Sequence, residues 1–231
     1  MKTIGLVGGM SWESTAEYYR IINETTKQRA GGFHSAKIIL YSVDFEEIER
    51  LQRAGDWDGL TAIMIDAAKR VERGGADVLL ICANTMHRMA VEVQSKIVIP
   101  LLHIADVTAA KVRSLSISKV GLLGTRYTME QDFYKGRLAR KHGLEVLVPG
   151  KDDRDIIHDI LYNELCLGEV REASINAFKQ IIAGLVGQGA QGVILGCTEI
   201  PLIVKQKDYD IPLFDTTAIH AEAAVDYALQ G

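Results

Sequence analysis

The chain reads as an α/β protein of two pseudo-symmetric lobes, each a mainly parallel sheet flanked by helices. Three observations carry that reading. Short β-branched runs alternate with amphipathic stretches along the whole chain. The order of these segments is written twice. The 231 residues are 48% hydrophobic and 24% charged, an ordinary balance with enough material for a sizeable core.

The elements follow in order. "KTIGLVGG" (2–9), "AKIILYSVD" (36–44), "ADVLLICA" (76–83) and "IPLLHI" (99–104) have the apolar character of buried parallel strands. Between them, Leu60, Ile63, Met64, Ala67, Ala68 and Val71 recur at helical spacing, so 58–73 is expected as an amphipathic helix. The second half repeats the first. "KTIGLVGG" resembles "SKVGLLGT" (118–125), "GADVLLICANTMHRM" (75–89) resembles "GAQGVILGCTEIPLI" (189–203), and "IPLLHIADVTAAKV" (99–112) resembles "IPLFDTTAIHAEAAV" (211–225). The repeat implies lobes at 1–113 and 114–231, with the last helix able to cross back to the first lobe. Ligands of open parallel sheets bind beyond the carboxyl ends of the strands, so one active site is expected in the cleft between the lobes. Matching Gly75 with Gly189 makes Ala83 equivalent to Cys197, Asn84 to Thr198, and Thr85 to Glu199.

The totals exclude several classes. Net charge is −4, with no basic excess for a nucleic-acid partner. No apolar run approaches the roughly 20 residues of a membrane span. "MKTIGLVGGMSW" is broken by glycines and reads as the first strand rather than a signal peptide. A cytoplasmic protein is expected. Three widely spaced cysteines, Cys82, Cys166 and Cys197, form no CxxC or His-rich cluster. They read as free thiols, and no metal is expected.

The chemistry is expected at the strand ends. In "LGCTEIPL" (195–202), Cys197 follows an apolar strand and a glycine. Backbone N–H groups and a following helix start would favour a thiolate there, either as nucleophile or as base. Glu199 is read either as a partner of the thiol or as a helix-start carboxylate. In "CANTMH" (82–87), Asn84 and Thr85 either cap a helix or donate to a carboxylate. Cys82 lies one residue before the position equivalent to Cys197. If still in the strand it points to the other face, into the core. His87 is placed inside the first helical turn, without a catalytic role. "GLVGGMSWEST" (5–15) lacks a third glycine and a Walker lysine, so it is not read as a nucleotide loop. Ser11, Ser14 or Thr15 would cap the next helix, with Met10 and Ser11 at the cleft mouth. In "GTRYTMEQDFY" (124–134), Thr125 and Thr128 supply hydroxyls and Arg126 a charge, with an N-cap as the other reading of Thr128.

Together these segments, with "NELCLG" (163–168) and "LLGTRYTMEQDFYKGRL" (122–138), resemble the aspartate/glutamate racemase family across the whole chain. The likeness is strongest to a bacterial broad-substrate, or L-aspartate/L-glutamate-specific, branch. The resemblance implies a two-lobed isomerase that racemises amino acids without a cofactor. In the family, one thiol stands immediately before the "NT" and a second in the glycine-cysteine-threonine-glutamate motif. Here those positions hold Ala83 and Cys197. The resemblance further implies that Met10, Gln52, Asn84, Thr85, Thr128, Glu164 and Thr198 line the substrate pocket, and that the protein is a homodimer. Alanine has no proton to give, so Ala83 departs from the family pattern and points to an impaired or one-directional enzyme. Two alternatives stand beside it. One is a one-base lyase of the malonate-decarboxylase type. The other is a catalytically degenerate amino-acid-binding protein.

Overall fold

The apolar runs form parallel strands because each can be buried on both faces. The computed structural model describes residues 1–230. Contacts divide them into two units: Met1–Ile104 with the segment from His220 onward, and Ala105–Ile219.

In the first unit, β1 (Ile4–Gly8), α1 (Trp12–Ala30), β2 (Ile38–Ser42), α2 (Phe45–Ala54), α3 (Trp57–Arg73), β3 (Val78–Ile81) and the short α4 (Ala90–Gln94) follow one another. The sheet order is β2-β1-β3, all parallel. Side chains alternate between its faces. Val7, Leu79 and Ile81 pack with Leu60, Met64 and Val71 of α3. Ile4, Leu6, Val78, Leu80 and Cys82 pack on the other face with Tyr18 and Ile22 of α1. The helix expected over 58–73 is α3, started by Asp56, whose carboxylate accepts the Gly59 N–H at 2.9 Å.

The run "IPLLHI" makes less strand than its pattern suggests. It contributes only an isolated parallel bridge, Leu79 to Leu101. The Leu79 N–H donates to Pro100 and the Leu102 N–H donates back to Leu79, both at 2.9 Å. The Leu102 carbonyl then accepts from His220 Nε2 at 2.7 Å, which diverts the ladder after one step.

The second unit contains α5 (Ile104–Ser114) beyond its first residue, β4 (Lys119–Gly124), α6 (Arg126–Glu130), α7 (Lys135–His142), β5 (Glu145–Leu147), α8 (Lys151–Asn163), α9 (Glu172–Gly187), β6 (Val193–Gly196) and β7 (Leu213–Asp215). The first turn of α10 (Thr216–Leu229) belongs here and its remainder to the first unit. The order is β5-β4-β6-β7, again parallel. Leu123, Val193 and Leu195 pack with Ile157 of α8 and Phe178 of α9.

The repeat holds at the level of hydrogen-bond register. Gly5 pairs with Leu79 as Gly121 pairs with Val193. Pro100 and Pro212 accept the equivalent N–H groups of Leu79 and Val193, each at 2.9 Å. Gly75 and Gly189 open the two equivalent strands with φ of 95° and 93°, a backbone that favours glycine. The expected α/β class, with two parallel sheets flanked by helices, is the observed one.

Candidate active site

In the first unit, β1 ends in Gly8-Gly9-Met10-Ser11. Gly9 has φ 93°, and a Cβ there would lie 2.2 Å from the Val43 carbonyl, so only glycine fits the turn. Ser11 is the cap of α1 and accepts the Ser14 N–H at 3.4 Å. Thr15 Oγ1 accepts the Gly9 N–H at 2.8 Å, tying the loop to the helix. These hydroxyls serve the turn. Met10, nearly buried, stands between them.

β3 ends one residue before Cys82. Cys82 points into the core with Ile4 and Leu6, and burial pushes its thiol far above the usual range. It is an inert core residue, as the period-2 pattern predicts. Ala83 lies on the other face with Leu79 and Ile81, 8% exposed. Asn84 and Thr85 follow, both buried. Asn84 precedes a 3-10 turn (Thr85–Met89) with helical backbone and makes no side-chain capping bond. A capping role for Asn84 is therefore not realised. A cap needs extended backbone to aim its side chain at the N–H groups ahead. Gln52, buried in the last turn of α2, places Nε2 3.3 Å from Met86 Sδ. It thus lies against the same turn as Asn84 and Thr85.

In the second unit, Thr125, not Thr128, caps α6: Thr125 Oγ1 accepts the Thr128 N–H at 3.3 Å. Thr128 is fully buried, with its hydroxyl 3.2 Å from that of Thr125. Its methyl lies 3.3 Å from where a Cβ on Gly196 would sit, so it packs beside the residue preceding Cys197. The cap falls at Thr125 because that residue is extended, whereas Thr128 is already inside the helix.

Cys197 follows β6 directly. Its Sγ–H donates to Glu199 Oε2 at 2.9 Å, and Thr198 Oγ1 donates to the same oxygen at 2.7 Å. Glu199 is 6% exposed. The surroundings push the Cys197 thiol well above its ordinary range: burial first, then the Glu199 carboxylate, then the nearby Cys166 thiol. The expected stabilised thiolate is therefore corrected to a neutral thiol in the free protein. Only a three-residue 3-10 turn (Ile200–Leu202) follows, too short for much dipole. The Glu199 backbone N–H acts in the lowering direction and is outweighed.

Glu164, at the end of α8, accepts from Ser174 Oγ at 2.5 Å and pairs with Arg171 at 3.4 Å. Both bonds turn toward the start of α9. The neighbourhood of Cys166 and Cys197 was not legible in sequence; the only signal was "NELCLG" as a motif. Among the described residues, no group of three or more His, Cys, Asp or Glu side chains is arranged to hold a metal ion. No helix among them is long and apolar enough to cross a membrane.

A buried carboxylate bonded to a thiol can take the thiol's proton. The resulting thiolate is a strong base, because its conjugate acid is weak. That is the equipment for removing a proton from a weakly acidic carbon. Comparison with known proteins points the same way. Residues 7–224 match the family model described as Asp/Glu/Hydantoin racemase. The chain is 23% identical to the broad specificity amino-acid racemase RacX of Bacillus subtilis (strain 168), over 96% of both chains. Among solved structures, a Yersinia pestis protein provisionally assigned as an Asp/Glu racemase is 55% identical, covers 100% of both chains and superposes with a TM-score of 0.94. An aspartate racemase homologue from Pyrococcus horikoshii OT3 is 35% identical over 99% of this chain and 100% of the other, with a TM-score of 0.86.

Proposed function

We propose a reaction for this chain, which belongs to the Asp/Glu/hydantoin racemase family. It is an isomerase, an amino-acid racemase, and Cys197 is its base. The observation that carries the assignment is the Cys197 Sγ–H bond to Glu199 Oε2 at 2.9 Å. Glu199 accepts the thiol proton, and the thiolate removes the α-proton of the bound amino acid. The cationic α-ammonium of the substrate favours the charged form of the thiol, offsetting the burial and the carboxylate that hold it neutral in the free protein.

Negative charge then develops on the substrate carboxylate. We assign Asn84, Thr85 and Thr198 to hold it, since amide and hydroxyl donors placed before the reaction stabilise such charge at no reorganisation cost. Met10, Gln52, Thr128 and Glu164 complete the proposed lining. Inversion needs a proton delivered to the opposite face of the α-carbon. By the internal repeat that duty falls to position 83, where alanine has none to deliver. The expected behaviour is α-proton exchange of one enantiomer that outpaces inversion.

The test is proton NMR of L- and D-amino acids in D2O, with chiral chromatography of the products. Ala83→Cys should raise inversion about 100-fold or more, the usual contribution of one general acid or base. Cys197→Ala should abolish exchange. An Ala83→Cys chain no better at inversion than its parent would remove position 83 from the scheme. Ala83 also favours a second reading, a one-base decarboxylation in which Cys197 alone protonates the product carbanion. Cys197-dependent CO2 release from an arylmalonate, without amino-acid exchange, would select it. We further place the protein in the cytoplasm, where three free thiols stay reduced.

A further inference from the structure

We infer that His87 is the positioning residue of position 83, an inference that rests on the racemase reading above. The geometry belongs wholly to the first unit. His87 lies in the 3-10 turn after Asn84, four residues beyond Ala83, and is 2% exposed. Its Nδ1 is 2.8 Å from the Ala83 carbonyl oxygen. A carbonyl only accepts, so Nδ1 carries the hydrogen. On the other side of the ring, the Ile104 N–H donates to Nε2 at 3.2 Å. The imidazole is therefore neutral and held in one tautomer by both of its nitrogens.

A second buried histidine secures the anchor. His220 Nε2 donates to the Leu102 carbonyl at 2.7 Å, which leaves Nδ1 to accept from the Tyr18 hydroxyl at 2.8 Å. Burial lowers the His220 imidazole to about 3, so it is neutral at neutral pH. The 102–104 segment is thus gripped on both sides of His103, by His220 at its carbonyl and by His87 at its N–H. The His87 ring also packs against both neighbours, tilted on His103 with centroids 4.7 Å apart and edge-on to His220 at 5.7 Å. One chain of directed hydrogen bonds runs from Tyr18 through His220, the 102–104 backbone and His87 to the carbonyl of residue 83.

That carbonyl lies where β3 has ended and the ladder no longer fixes the peptide plane. The direction of the residue-83 side chain follows from that plane. A reacting group misplaced by about 1 Å loses roughly 100-fold in rate. The role of His87 is to set the peptide, not to touch substrate.

The experiment uses the full-length Ala83→Cys chain, whose two thiols would serve opposite enantiomers. A Cys197→Ser control identifies which exchange depends on the thiol at position 83. Adding His87→Phe, which keeps a ring but removes both hydrogen bonds, should lower that exchange by about 10- to 100-fold. KM should stay near its value, and the Cys197-dependent exchange should change less than about threefold. His87→Gln, with one donor and one acceptor, should restore most of the loss. Equal loss of both exchanges in step with melting temperature would overturn the positioning role and leave the racemase reading standing. No exchange of any amino acid by the Ala83→Cys chain would overturn the reading beneath it. Nitrogen-15 NMR of the unmutated protein at neutral pH reads the same geometry without a variant. A hydrogen on Nδ1 of His87 is expected, and one on Nε2 overturns the inference.

Discussion

At Cys197, one oxygen decides the chemistry. Glu199 Oε2 accepts both the thiol and the Thr198 hydroxyl, and its negative charge helps to hold the thiol neutral. Replacing Glu199 by Gln removes that charge while keeping the size of the side chain. The thiol should then ionise at lower pH, because a carboxylate beside it disfavours the thiolate. Iodoacetamide alkylation of Cys197 followed against pH should show its midpoint move down. The same variant should lose about 100-fold in α-proton exchange, since the amide cannot take the proton. A midpoint that stays put or rises would remove Glu199 from the thiol's electrostatics.

Among the elements, α5 and α7 are joined by a cluster of charged side chains around Asp106. Arg137 grips Asp106 with two bonds of 2.6 and 2.7 Å, Lys141 adds one at 2.6 Å and His142 one at 2.8 Å. Burial alone would raise the Asp106 carboxyl, but the three donors outweigh it and hold it far below the usual carboxylate range. A carboxyl depressed on folding contributes stability above its unfolded value of about 3.9, and that contribution drains away as pH falls through the folded value. Asp106→Asn should therefore cost about 1–3 kcal/mol at neutral pH. The melting temperature of the parent should fall more steeply than that of the variant below about pH 4. Parallel pH–melting curves for the two would show that this cluster does not couple folding to acid.

For the whole molecule, the open property is association. Trp12 and Tyr19 lie seven residues apart on one side of α1 and are 68% and 56% exposed. Two large aromatics on one helix face are the kind of surface that a second copy covers. The family resemblance implies a homodimer, and sedimentation equilibrium should find a particle of about twice 25.4 kDa. A particle of the chain mass at micromolar concentration would set that expectation aside.

The sequence by itself determined what local pattern controls. Period-2 alternation put Cys82 in the core and residue 83 on the other face. The spacing of Leu60 to Val71 marked α3. The repeat from Gly75 and Gly189 made Ala83 the equivalent of Cys197, and the strand register agrees with that equivalence. Only the tertiary structure decided which groups meet. It moved the α6 cap from Thr128 to Thr125, because backbone angle rather than residue type selects a cap. It shortened the "IPLLHI" strand by giving the Leu102 carbonyl to a histidine 118 positions away. It turned Cys197 from an expected thiolate into a neutral thiol, because burial and a carboxylate outweigh a three-residue turn. It joined His87 to Ala83 and His220 to Tyr18, the latter pair 202 positions apart. Periodicity reports which face of an element is buried. The partner buried against it is fixed only when distant segments pack, and the protonation of every titratable group follows from that partner.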